Sequence, residues 1–206
     1  MSRIIFVRHP ESGSNKRGLV AGIKDVGLTA EGKRQARTVV RSLEHQDIAA
    51  VYSSPLQRAQ FVARLISKAS GAPLKIAPEL SEVDYGAFQG KPRTEKMQWW
   101  ENYWKTPGAK KYPQVPHGED FEKKEALMHA FVKSVCKAHP NQDVVFVTHA
   151  TASRILFRRL LESAGEKISK RDIYDKISIG NASVSVWDCV KNNFEKMAQE
   201  RRQKAA

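Results

Sequence analysis

Apolar and polar positions change period several times along the chain, and each change predicts an element. Residues 3–7 (RIIFV) are a near-continuous apolar run behind one polar residue, the pattern of a buried strand. Ala49–Tyr52 and Leu74–Ile76 are shorter strand candidates, and Asp143–Thr148 (DVVFVT) reads as a strand buried on both faces. Residues 182–190 alternate and predict a late strand. Helical spacing fills the intervals. Thr29 is placed to cap a helix from about Ala30 to Leu43. Ser54-Pro55 reads as the start of a helix that carries Ala59, Val62, Ala63 and Ile66 at helical spacing and stops at Gly71. Asp120–Ala138 and Thr151–Leu161 are further helices, and a basic, polar C-terminal helix is expected at about 193–204.

Strands alternating with helices predict an α/β protein: a three-layer α/β/α sandwich around a mostly parallel central sheet. Residues 84–118 break the pattern with Gly86, Gly90, Pro92, Pro107, Gly108, Pro113, Pro116 and Gly118, leaving room for one short helix at about Thr94–Trp104. We read them as a lid-like excursion from one domain over residues 1–206, not as a second domain.

Composition narrows the class. With 41% hydrophobic and 28% charged residues the chain can build a core, which excludes disorder. Two cysteines, Cys136 and Cys189, cannot form a disulfide framework or a Cys-rich zinc site, and are read as reduced. No apolar run approaches the roughly 18 residues that span a bilayer, and the first residues lack a signal-peptide core, so the expected setting is cytoplasmic without a membrane partner. The net charge of +13 points to anionic partners. It is dispersed, however: the last sixteen residues carry only five basic and two acidic residues. No zinc-finger, basic-zipper or RNA-binding motif is present, which disfavours nucleic acid as the main partner.

In a parallel α/β sheet, ligands bind beyond the carboxyl ends of the strands. Beyond the first strand stand Arg8, His9, Glu11, Ser12 and Asn15; beyond the second, Ser53, Ser54 and Arg58; after the third, Glu82; after DVVFVT, His149. If these ends converge, they form a cationic phosphate receptor. Arg58 falls in the first turn of its helix, where the dipole disfavours a cation unless an anion is bound nearby. Each residue also has a plain structural reading: an Arg reaching solvent or a carboxylate, a His satisfied by a hydrogen bond. Two His and Glu82 could supply zinc ligands, but Arg8 and Arg58 make the site electrostatically poor for a dication. No GxxxxGK loop is present.

The run Arg8-His9-Pro10-Glu11-Ser12 with Asn15 resembles the N-terminal signature of the histidine phosphatase (phosphoglycerate mutase-like) superfamily. Asp25–Ala36, Ser53–Ala59, Leu80–Gly90, His117–Glu119, Val147–Ala150 and Gly180–Ser183 resemble its later segments, in order and over nearly the whole chain. The resemblance implies His9 as nucleophile and Glu82 as proton donor. It implies Arg8, Arg58 and His149 around the phosphoryl group, with Asn15 as a further donor and His117 extending the pocket. It implies no cofactor and no metal, because the arginines supply the positive charge. Two residues depart from the pattern. Pro10 and Ala150 stand where relatives usually have Gly, so one backbone N–H is lost and one methyl is added beside the phosphate site.

The expected activity is hydrolysis of small phosphorylated metabolites through phosphohistidine. Mutases of the family tend to carry an aromatic residue before the Asn, and here it is Ser14. Phosphoglycerate mutase-type transfer and non-catalytic binding of phosphate or nucleic acid are the alternatives. The expected partner is a small phosphomonoester, and monomer and homodimer both stay open. Tyr85, Phe88, Trp99, Trp100, Tyr103 and Trp104 in the excursion read either as one face packed on the core or as an aromatic wall for substrate. Lys91, Arg93, Lys96, Lys105, Lys110 and Lys111 read either as solvent-facing or as selecting a second phosphate or a carboxylate.

Overall fold

In the computed structural model, which describes residues 2–196, six strands form one sheet in the order β3-β2-β4-β1-β5-β6. The strands are β1 (Arg3–Arg8), β2 (Ile48–Ser53), β3 (Leu74–Ile76), β4 (Asp143–Thr148), β5 (Val184–Asp188) and β6 (Asn193–Lys196). The first four are mutually parallel; β5 runs antiparallel to β1 and β6 antiparallel to β5. The helices are α1 (Gly13–Lys16), α2 (Ala30–Ser42), α3 (Gln57–Ser70), α4 (Arg93–Trp104), α5 (Phe121–Ala138), α6 (Ala150–Ser163) and α7 (Ile173–Lys176).

The alternation of side chains along a strand assigns the layers. Ile4, Phe6, Val144 and Phe146 point to one face, where they pack with Met128 and Val132 of α5 and Leu156 and Leu160 of α6. Ile5, Val7, Val145 and Val147 point to the other, where they meet Val39 of α2 and Val62 and Ile66 of α3. Helices on both faces bury β1 and β4 almost completely and fix their register, because a one-residue slip would exchange the two faces. The expected α/β sandwich with a largely parallel sheet is therefore the observed fold.

Two local expectations change. α3 starts at Gln57 rather than at Ser54-Pro55. The Ser54 hydroxyl is engaged elsewhere, and Asp25 caps the helix from outside, accepting from the Gln57 N–H at 2.8 Å. The C-terminal helix is not formed at its start: residues 193–196 are strand β6, and 197–204 lie outside the described residues. Asp188 accepts from the N–H groups of Val190 and Lys191, which turns the chain back. Phe194 then packs on Phe157 and Trp187, with ring centroids 4.7 and 4.9 Å apart.

Cys136, near the end of α5, is bonded to Cys189, just past β5, which corrects the reduced reading. Sequence spacing held no information that these two ends meet. Disulfides persist in oxidising settings, so the redox argument for a cytoplasmic location falls away. Among the described residues no helix is long and apolar enough to cross a membrane.

The excursion is held by a third cluster, in which Trp100 packs with Tyr85, Tyr112, Val115, Phe121 and Ile173. Trp100 meets Trp104 edge-on at 5.8 Å and Tyr174 at 4.9 Å, and Trp99 lies against Phe88 at 5.0 Å. The tryptophans thus dock the excursion on the core.

The disulfide bridges positions 53 apart in sequence, and closing a loop of that length stabilises by about 4 kcal/mol in the chain-entropy description. Urea unfolding should show Cys136→Ser destabilised by roughly that amount, with the wild type falling to the same level under reductant. Equal stability of the two proteins without reductant would show that the bridge does not form.

Candidate active site

β1 and β4 deliver the first half of the site. The His9 N–H donates to the Thr148 carbonyl at 3.0 Å, continuing the pairing of the two strands by one residue. Its ring Nδ1–H donates to the Pro10 carbonyl at 2.7 Å. That bond selects the tautomer and leaves the lone pair on Nε2. Burial, then the charges of Arg58 and Arg8, hold the His9 pKa well below the usual imidazole value, so the ring is neutral.

A short loop and helix α1 follow. Asn15 Oδ1 accepts from the Ser12 N–H (3.0 Å), the Ser12 hydroxyl (2.9 Å) and Asn181 Nδ2 (3.0 Å). With the oxygen saturated, the Asn15 amide group is left to donate into the cavity that it lines. Arg8 donates from Nη1 to the Ile179 carbonyl at 2.5 Å.

Arg58 is 1% exposed. Its Nη1 and Nη2 donate to the carbonyls of Lys24 (2.8 Å) and Gly22 (2.7 Å), while among the described residues its Nε–H has no partner. Burial lowers its pKa from the ordinary guanidinium value without discharging it. Arg58 thus sits in the first turn of α3 with carbonyl partners and an unused donor. An anion in the cavity would relieve both the dipole conflict and the orphaned donor.

Glu82 follows a 3-10 turn (Pro78–Leu80), which is tied to β4 by the Thr148 hydroxyl donating to the Leu80 carbonyl at 2.8 Å. The carboxylate lies at the N-terminus of α6. Oε1 accepts from the N–H groups of Val83 (3.0 Å) and Ala152 (2.9 Å), and among the described residues Oε2 accepts only from Thr151 (3.2 Å). Oε2 therefore keeps a lone pair for proton transfer.

His149 caps the backbone of α6 and is completely buried. Its Nε2 lies 2.7 Å from the Ser54 hydroxyl, which also accepts from the Leu56 N–H. We assign the Ser54 proton to that Nε2 contact and the ring proton to Nδ1, which has no partner among the described residues. The rings of His9 and His149 are 5.1 Å apart between centroids. Burial, then the charges of Arg58 and Arg8, hold the His149 pKa well below its usual value.

The structure brings Arg8, His9, Asn15, Arg58 and Glu82 to one cavity of about 230 Å³, and Ala150 adds its methyl to the wall. His149 stands behind the lining, against His9. His117 is elsewhere: it is exposed on a turn at φ 56° and does not line the cavity. Arg154, in the first turns of α6, and Tyr174, in α7, line the cavity without having been expected. Arg154 carried a signal, since it lies one helical turn beyond a strand-end His; Tyr174 carried none. Among the described residues no group of three or more His, Cys, Asp or Glu side chains is arranged to hold a metal ion.

A largely parallel sheet covered on both faces, with two buried imidazoles and two arginines at its carboxyl edge, defines an α/β protein with a cationic cavity. Residues 4–199 match the model of the histidine phosphatase superfamily (branch 1), and the chain belongs to that family. Phosphoserine phosphatase 1 of Hydrogenobacter thermophilus is 31% identical over 90% of this chain and 86% of its own length. A probable phosphoglycerate mutase of Yersinia pestis is 30% identical over 78% of this chain and 75% of its own. A phosphoserine phosphatase mutant from Entamoeba histolytica, solved with phosphoserine, superposes with TM-score 0.74 at 26% identity over 91% of both chains.

The two depressed histidines make stability depend on pH. Below about 6.5 the unfolded chain binds protons at these positions that the native site refuses, so stability falls as the pH drops. Each histidine contributes a slope of about 1.4 kcal/mol per pH unit there. Chemical unfolding between pH 7.5 and 5.5 should show wild type losing about 2–3 kcal/mol more than the His9→Gln, His149→Gln double variant. Parallel losses would show that the rings titrate normally in the fold.

Proposed function

We propose that this protein is a metal-independent phosphomonoesterase that hydrolyses small phosphorylated metabolites through a phosphohistidine on His9. The observation that carries the reading is the His9 Nδ1–H bond to the Pro10 carbonyl, which leaves a neutral Nε2 in a cavity that the buried Arg58 also lines, its Nε–H without a partner among the described residues. In the first step the Nε2 lone pair attacks phosphorus in line, the N–P bond forms and the bond to the leaving oxygen breaks. Protonated Glu82 gives its proton to that oxygen from Oε2. Arg8 and Arg58, with the Asn15 amide, hold the phosphoryl oxygens as charge builds on them, and His149 stands behind His9. In the second step water attacks phosphorus, Glu82 takes its proton, and the N–P bond breaks to release inorganic phosphate and neutral His9.

Pro10 fits this scheme because its contribution is a carbonyl, which proline retains. Ser14, buried in α1 before Asn15, stands where an aromatic residue would favour transfer to a second substrate hydroxyl.

Phosphorus NMR of chelator-treated protein should show inorganic phosphate released from p-nitrophenyl phosphate and several sugar phosphates. His9→Ala should abolish the release while keeping the fold. Glu82→Gln should slow alkyl phosphates at least tenfold more than p-nitrophenyl phosphate, whose leaving group needs no proton. Interconversion of 3- and 2-phosphoglycerate without phosphate release would replace the proposal with a mutase. No turnover of any ester would replace it with a binding protein.

A further inference from the structure

Three hydroxyl groups form a row in the cavity wall, and their protons do not balance their contacts. Tyr85, Thr151 and Tyr174 all line the cavity, and the first two are buried. The Tyr85 hydroxyl donates to Thr151 Oγ1 at 2.7 Å, and its oxygen lies 2.7 Å from the Tyr174 hydroxyl. Three protons meet two contacts, so the hydroxyl at one end of the row keeps a proton with no acceptor among the described residues. Lys96 of α4 decides which end. Its Nζ donates to the Tyr174 hydroxyl oxygen at 3.3 Å, and an ammonium offers no acceptor in return. A bond accepted from a cation makes the Tyr174 hydroxyl a stronger donor. Tyr174 therefore donates to Tyr85 and Tyr85 to Thr151, and the surplus proton falls on Thr151. Burial, then Tyr174 and Glu82, push the Tyr85 pKa well up, so this phenol stays protonated and keeps its place in the row.

Thr151 is 3% exposed and stands in the first turn of α6, where its own N–H donates to Glu82 Oε2 at 3.2 Å. That carboxylate oxygen is the one from which the proposed mechanism protonates the leaving group. One threonine thus holds the proton donor through its backbone and offers a second donor, its hydroxyl, to the same cavity. A buried O–H without an acceptor is costly until a ligand accepts from it. We infer that the Thr151 hydroxyl is a catalytic hydrogen-bond donor to the leaving oxygen of the phosphoester, acting alongside Glu82. The inference deepens the phosphatase reading and rests on it for the identity of that oxygen. Thr151 keeps its proton throughout. As the P–O bond breaks, the hydroxyl stabilises the negative charge gathering on the leaving oxygen, and Glu82 supplies the proton that this oxygen carries away. Tyr85, Tyr174 and Lys96 are positioning residues, which act through the direction they give to the Thr151 O–H bond.

The test is kcat/KM across a series of phosphomonoesters with increasingly basic leaving groups, from p-nitrophenyl through phenyl to alkyl phosphates. Thr151→Val keeps the shape of the side chain and the backbone bond to Glu82 but removes the hydroxyl. Its loss should grow along the series and be at least about tenfold greater for alkyl phosphates than for p-nitrophenyl phosphate. Thr151→Ser, which restores the hydroxyl, should recover most of that loss. The limb of the pH–rate profile that disappears in Glu82→Gln should persist in Thr151→Val, which separates a lost donor from a displaced Glu82. Tyr85→Phe provides an independent reading should Thr151→Val unfold: it breaks the row next to Thr151, and its loss should also grow with leaving-group basicity. Lys96→Met should show the same trend more weakly, and Lys96→Arg, which still donates, should not. Losses uniform along the series in both Thr151→Val and Tyr85→Phe, or no recovery in Thr151→Ser, would overturn the inference. Phosphate release by the wild type then shows that the phosphatase reading survives; a wild type inert towards every ester would take both down.

Discussion

The hydrogen bond from His9 Nδ1 to the Pro10 carbonyl depends on a backbone loop that other parts of the fold hold in place, and the proposed chemistry depends on the bond. Without it either ring nitrogen could carry the proton, and the nucleophile would be undefined. The loop is fixed on both sides. Asn181 donates to the His9 carbonyl and to Asn15, and the Glu11 carbonyl accepts from the Thr29 N–H at the start of α2. Gly32 lies so close that a Cβ there would come within 2.0 Å of the Glu11 carbonyl oxygen. The cap of a helix on one face of the sheet thereby sets the path of the loop at its edge.

Burying charge is the second constraint. Arg8 and Arg58 donate to the carbonyls of Ile179, Gly22 and Lys24. Carbonyls satisfy some of the N–H groups without neutralising the charge, so the cavity stays strongly positive. That field, with burial, keeps both imidazoles neutral near neutral pH. In the proposed function, the arrangement that leaves His9 a free lone pair also makes its pocket a receptor for dianions. The Glu82 carboxylate accepts from three backbone N–H groups.

Much of this was legible in the sequence because it follows from period and position. The continuous apolar runs at 3–7 and 143–148 announced the two central strands, and the rule that sites lie beyond strand ends singled out His9, Arg58, Glu82 and His149. What was not legible depends on long-range proximity. The Cys136–Cys189 bridge, the Asp25 cap on α3 and the place of Tyr174 in the cavity join segments whose meeting no local pattern records. Residues 193–196 misled because their polarity suited an exposed helix; Phe194 alone decided for a strand, through its contact with Trp187. His117 followed family order but not geometry. Its left-handed turn packs its backbone against Gly86 and sends its ring to solvent.

The most direct test of the central claim is to trap the intermediate. Wild-type protein mixed with p-nitrophenyl phosphate and quenched in base within the first turnovers should gain the mass of one phosphoryl group on the peptide containing His9. Phosphorus NMR of that peptide should identify the Nε2 adduct, because Nδ1 is committed to the Pro10 carbonyl. Phosphate release with no label on His9, or a label on Nδ1 or another residue, would contradict the account.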